Sequence, residues 1–146
     1  SEGYYPWYQT EAGQYAIPLL FFRPGGELRG RSSAVAQQTD IVPTVLNYIG
    51  YDKPYLAFGA DLLDSTSGAP RFSVHYINGL YAMVREGHYL EYNGSRTTAL
   101  YDLDRDPMQT MNLAGKSPRQ APLETFLGAY LQQYNNRLIE NRMVVE

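Results

Sequence analysis

The chain has no cysteine, only two histidines and one tryptophan, and no apolar run longer than seven residues. Without cysteine, disulfide scaffolds, thiolate zinc sites and cysteine nucleophiles are excluded, while cytoplasm and periplasm both stay open. The longest apolar run, residues 16–22, contains Pro18 and falls far short of the roughly 20 residues that cross a bilayer. The expectation is a soluble chain whose own residues make no membrane contact. Basic charge is scarce: 12 Lys and Arg stand against 15 Asp and Glu, a net charge of −3, and the densest basic stretch is Arg29-Gly30-Arg31. Nucleic acid therefore has no electrostatic footprint here and is not an expected partner. No signal-peptide pattern follows Ser1, and a start on Ser rather than Met suggests a mature product or a piece of something longer.

What is present reads as globular. A length of 146 residues, 44% hydrophobic and 18% charged, fits one domain or two small subdomains and excludes disorder, collagen and coiled coil. Fourteen tyrosines against five phenylalanines supply aromatic bodies that keep a hydroxyl near water. Such a composition suits a twisted sheet with a half-wet face, and it also suits a binding surface.

Along the chain, residues 1–15 are polar and aromatic, with Tyr4, Tyr5, Trp7 and Tyr8 around Pro6, and show no period; they read as a loop. Residues 16–22 read as a short strand apolar on both faces, closed by Pro24-Gly25-Gly26 and suited to the inside of a parallel sheet. Thr39-Asp40 precedes Ile41, Val42, Val45, Leu46 and Ile49, one helical stripe stopped at Gly50, with Pro43 in the first turn. The second half changes grammar. Residues 71–77, 80–85, 88–92 and 98–103 are strand-like runs separated by Asn78-Gly79, Glu86-Gly87 and Asn93-Gly94-Ser95-Arg96, which predicts an antiparallel meander. Leu123, Phe126, Leu127, Tyr130, Leu131, Tyr134 and Leu138 then mark a helix with one stripe for that sheet. Residues 65–70 are the natural linker, dividing the chain into units 1–66 and 67–146.

No complete active site is readable. His75 and His88 lie in separate predicted strands without ligand-type neighbours at metal spacing, so both read as structural. No Gly-x-Ser-x-Gly elbow occurs. Asp102, Asp104 and Asp106 lack the glycine and final glutamate of a calcium loop, and Pro24-Gly25-Gly26 is too brief to cradle phosphate.

Three segments nevertheless resemble the sulfatases of the alkaline phosphatase superfamily, in the family's order. Residues 11–25, from Glu11 through Phe21 and Phe22 to Gly25, resemble the strand segment that follows the metal-binding Asp-His or Asp-Asn pair of sulfatases. Gln38-Thr39-Asp40-Ile41-Val42-Pro43-Thr44-Val45-Leu46, closing at Gly50, resembles the family's Asp-hydrophobic-x-Pro-Thr helix. Leu100-Tyr101-Asp102-Leu103-Asp104-Arg105-Asp106-Pro107 with Asn112-Leu113 resembles the signature of the C-terminal subdomain. The wording, especially over residues 130–142, looks most like membrane-anchored enzymes of the lipoteichoic-acid-synthase type.

The resemblance implies an α/β fold of alkaline-phosphatase type, here the end of its parallel-sheet core followed by a four-stranded antiparallel meander packed on a C-terminal helix. It also implies a parent enzyme, a metal-dependent sulfatase-like hydrolase or phosphoglycerol-type transferase acting on sulfate or phosphate esters. That parent would be anchored at the cell membrane with its catalytic domain extracytoplasmic, and would hold Mn, Ca or Zn. The family's nucleophile and metal ligands lie N-terminal to the matched segments, so this chain is expected to carry no catalytic residue, no metal ligand and no cofactor of its own. Its partner would be the N-terminal part of the same polypeptide, or, for the isolated chain, a second copy through residues 16–22. Tyr4, Tyr5, Trp7 and Tyr8 would form a substrate-side loop. Two other classes remain: a freestanding module using those aromatics as a platform for a sugar or protein, and an interaction domain with no small ligand.

Overall fold

The computed structural model describes residues 5–66 and 68–145. Its centre is an antiparallel sheet in the order β1 (Phe72–Ile77), β2 (Leu80–Arg85), β3 (His88–Tyr92), β4 (Thr97–Asp102), each strand within one residue of the sequence expectation. The first two turns are tight because their residues accept left-handed backbone: φ is 50° at Asn78 and 85° at Gly79, then 49° at Glu86 and 71° at Gly87. That geometry matches the twist of two adjacent strands. The third turn is held by Asn93, whose Oδ1 accepts from the Ser95 and Arg96 N–H groups, both at 3.0 Å.

Register places one apolar row across all four strands. Val74 pairs with Met83, Met83 with Leu90, and Leu90 with Leu100. Against it lies the C-terminal helix, spanning Gln120–Ile139; with Glu11–Gln14 as α1 and Ile41–Tyr48 as α2, it is α3. Met83, Leu90, Leu100, Leu123 and Leu127 form one buried cluster, flanked by Val74, Tyr81, Tyr92, Leu113, Phe126 and Leu131. The expected stripe thus buries its N-terminal half, while Leu138 beyond the sheet stays exposed. Arg85 adds a cation–π contact, its guanidinium 3.7 Å from the Phe126 ring centroid.

Both sheet edges are closed by side-chain amides. At β4, Asn112 Oδ1 accepts from Leu100 N at 3.1 Å, its Nδ2 donates to Thr98 O, and Leu113 N donates to Leu100 O at 2.8 Å. At β1, Gln37 Oε1 accepts from Val74 N at 3.0 Å. An edge strand offers unpaired backbone groups to other chains, and these residues occupy some of them.

The first half departs from expectation. Residues 16–22 form no strand; the backbone there pairs with nothing in a sheet, and Ile17, Leu19, Leu20 and Phe22 are exposed, Leu20 at 85%. A strand apolar on both faces needs neighbours on both sides, and the described residues offer it none; the antiparallel sheet is present, the parallel core is not shown. Residues 6–15 are more ordered than a loop, forming a 3-10 turn at Pro6–Gln9 and then α1. The stripe of α2 is turned partly outward: Pro43 and Thr44 are buried and Ile41 and Leu46 half-buried, whereas Val42, Val45 and Ile49 are exposed. The halves meet through several contacts, among them Phe58, whose ring lies 5.0 Å from Tyr134 and 6.1 Å from Tyr130.

Leu127 is 1% exposed, so Leu127→Ala leaves a cavity between α3 and the sheet and is expected to cost about 2–5 kcal/mol. Leu20→Ser, on a residue that buries almost nothing, is expected to stay within about 0.5 kcal/mol. Urea unfolding of both variants, at a concentration low enough to keep the chain monomeric, checks this; equal losses would mean that residues 16–22 are covered within the folded monomer.

Candidate functional site: an exposed aromatic segment docked on the sheet

The expected substrate-side residues Tyr5, Trp7 and Tyr8 lie together, while Tyr4 falls outside the described residues. Pro6 opens the 3-10 turn with its φ already set. Thr10 closes it: its hydroxyl donates to Trp7 O at 2.7 Å and accepts from Gly13 N at 3.1 Å, so one side chain ends the turn and caps α1. A Cβ at position 13 would overlap the Trp7 carbonyl oxygen, which is why glycine stands there. The result is three rings in edge contact, Tyr8 lying 6.1 Å from Tyr5 and 5.2 Å from Trp7 between ring centroids. All three remain exposed, Tyr5 at 64%. Exposed aromatic faces with phenolic hydroxyls at their rims suit stacking on a sugar or on another ring.

The segment is fixed from below on the sheet face opposite α3. Ala12 joins a second buried cluster with Ala82 and Tyr89, bordered by Val84, Tyr101 and Leu103. Ala12 N donates to Gln109 Oε1 at 3.1 Å, and the Tyr15 ring lies 4.2 Å from that of His75. Tyr89 is 1% exposed and its hydroxyl donates to Glu91 Oε1 at 3.1 Å. Burial, reinforced by the Glu91 carboxylate, pushes the Tyr89 phenol far above its ordinary value. Gln109, Tyr15 and Glu91 were invisible as site residues in the sequence, since their role arises from the docking of distant segments and no local spacing signals it.

Four aspartates hold backbone in place. Asp106 accepts from Thr110 N at 3.0 Å and Met111 N at 2.8 Å, and these bonds hold its carboxyl below the ordinary range. Asp102 Oδ1 accepts from Asp104 N and Arg105 N. Asp40, 4% exposed, accepts from Gln37 N at 2.9 Å and Ala60 N at 2.8 Å. Gln37 and Asp40 together make a capping box, so the helix entry begins at Gln37 rather than at Thr39. Thr44 continues the seam, its hydroxyl donating to Asp40 O at 2.6 Å and accepting from Leu62 N at 2.9 Å. The Asp61 side chain accepts from Leu63 N at 2.8 Å and from the Asn47 amide. His88 Nδ1 lies 2.8 Å from Glu86 O. Among the described residues no three His, Asp or Glu side chains converge into a group that could hold a metal ion. No helix among them is long and apolar enough to cross a membrane.

No protein-family model matches the chain, and no curated protein matches it significantly.

Asp40→Ala removes the acceptor of two N–H groups that join the start of α2 to residue 60, and is expected to cost about 2–4 kcal/mol. Asp40→Asn, which keeps one acceptor oxygen, should lose roughly half as much. Equal losses, read by thermal unfolding near neutral pH, would show that a single retained acceptor oxygen contributes nothing and that the whole carboxylate is required at this position.

Proposed function

We propose that this chain is the C-terminal part of a metal-dependent sulfatase-like hydrolase or phosphoglycerol-type transferase acting on sulfate or phosphate esters. In this reading the nucleophile, the divalent metal and its ligands belong to an N-terminal part of the same polypeptide, anchored at the cell membrane with its catalytic domain outside. The present chain contributes the closing α/β scaffold and the aromatic segment Tyr5, Trp7 and Tyr8 at the mouth of the site.

The observation that carries the reading is the uncovered apolar strip at residues 16–22. Its composition is that of a strand buried on both faces, yet Ile17, Leu20 and Phe22 are more than half exposed. The outward stripe of α2 adds Val42, Val45 and Ile49. Arg23 Nη1 donates to the Tyr48 hydroxyl at 3.0 Å, tying the end of the strip to the end of that helix. An apolar area of this kind seeks cover, and a sheet in the preceding part of the polypeptide would provide it. The motif residues support the same reading by what they do: Asp40, Thr44, Asp106 and Asn112 all hold backbone in place, as scaffold residues of a larger enzyme would.

A second reading, a freestanding binding module for a sugar or protein partner, draws on the exposure of the Tyr5, Trp7 and Tyr8 cluster. The coding sequence upstream of Ser1 separates the two. The enzyme reading requires an Asp-His or Asp-Asn pair immediately before this chain and a Thr or Ser nucleophile far upstream; neither would be found for a module.

The isolated chain, supplied with Mn, Ca or Zn, is expected to turn over aryl sulfates and aryl phosphates at background rate. Turnover that survives replacement of both His75 and His88 would contradict the assignment of the chemistry to the N-terminal part. In the complete enzyme, Trp7→Ala with Tyr8→Ala should raise KM by about fivefold, the worth of roughly 1 kcal/mol of aromatic contact, at little cost in Tm. A Tm loss with unchanged kinetics would assign the cluster to packing. In the isolated chain the strip at 16–22 is expected to pair with a second copy, giving dimers in sedimentation at micromolar concentration; a strict monomer would remove that pairing from the account.

A further inference from the structure

Beneath the aromatic segment one titratable side chain is half-buried without an assigned task. His75 lies in β1 at the head of a cross-strand row, His75, Ala82, Glu91, Ala99, on the sheet face opposite α3. The two alanines give this row little height, and the N-terminal segment settles onto it: Ala12 against Ala82 and Tyr89, and the Tyr15 ring on the imidazole at 4.2 Å and 37°. His75 Nε2 is shut off from water and has no hydrogen-bond partner. A neutral imidazole tolerates this as an unused lone pair. An imidazolium does not, because both of its nitrogens carry hydrogens that need acceptors.

The groups sharing this face are few. From β3 come Glu91 and Tyr89, from β4 Tyr101, and from α1 and its C-terminal cap Glu11 and Tyr15; β2 brings Ala82 and Val84, which do not titrate. Glu91 already accepts from Tyr89 and, at 3.4 Å, from Thr98.

We propose that His75 is a protonation-controlled latch on the aromatic segment: neutral, it docks the stretch carrying Tyr5, Trp7 and Tyr8 onto the sheet, and protonated, it releases that stretch. Burial holds the imidazole below its ordinary 6.5, with the Glu91 carboxylate acting more weakly in the opposite sense. A base whose docked-state pKa is depressed favours docking fully above its free pKa, and that contribution is lost as pH falls from 6.5 through the docked-state value. The aromatic cluster is therefore fixed at neutral pH and freed in mild acid. Its use as regulation rests on the reading of that cluster as facing a ligand; the latch itself does not.

Trp7 is the sole tryptophan, so its emission reports docking without any ligand or activity. In the intact 146-residue chain, Trp7 anisotropy should be high at pH ~8 and fall in one transition with its midpoint below the ordinary histidine value. His75→Gln should abolish the transition while His88→Gln keeps it. Tyr15→Ala, which leaves the sheet untouched, should show low anisotropy already at pH ~8, and should return the His75 ring titration, followed by NMR, toward 6.5. A flat wild-type profile overturns the proposal. So does a transition that persists in His75→Gln with native far-UV circular dichroism, or wild-type anisotropy in Tyr15→Ala. Substrate kinetics play no part in these readings, so failure of the latch and failure of the ligand-facing role are seen separately.

Discussion

The structure depends on one packed contact, the row Val74, Met83, Leu90 and Leu100 pressed against Leu123 and Leu127 of α3. A four-stranded meander has two faces, and an apolar face has to be buried against another element. The helix covers one face, and the register that aligns those four residues leaves no freedom in how it does so, since a slip by one residue would turn every one of them to the other side. The second face is then set by default. It carries Ala82, Ala99 and Tyr89, low enough for the short N-terminal helix to settle on it.

Around this centre, polar groups act as fasteners. Asn112 closes one edge of the sheet and Gln37 the other. The buried carboxylate of Asp40 gathers the start of α2 and residue 60, and Gly59 lets the chain pass so close to Thr39 that any Cβ there would overlap its carbonyl. Arg71 reaches back to Asp61 O at 2.8 Å. These bonds are directed at backbone, so they fix the course of the loops between the helices and the sheet.

The second half of the fold was legible because its signals are local. Asn78-Gly79 and Glu86-Gly87 state their turns in two residues each, and the spacing of Leu123, Leu127 and Leu131 states the buried face of α3. The first half was less legible because its signals are conditional. The apolar run at 16–22 says that it is to be buried but not by what, and within the described residues nothing buries it. The stripe of α2 misled in the same way: Val42, Val45 and Ile49 point outward while the polar pair Asp40 and Thr44 is enclosed, because that pair satisfies backbone groups of a neighbouring loop. The aromatic cluster was legible as residues, yet its support was not. Gln109, from the loop after Asp106-Pro107, and His75, from the middle of β1, meet the N-terminal segment only after the chain has folded.

The central proposal is that residues 16–22, which form no strand in this chain, become one when packed on the remainder of a larger enzyme. Hydrogen exchange of their amides tests it most directly, measured in this chain held dilute enough to stay monomeric and again in the complete polypeptide. The account predicts rapid exchange in the isolated chain, beside slow exchange in β2 to β4, and strong protection of the same amides in the complete polypeptide. Strong protection already in the isolated monomer, or none in the complete polypeptide, would contradict it.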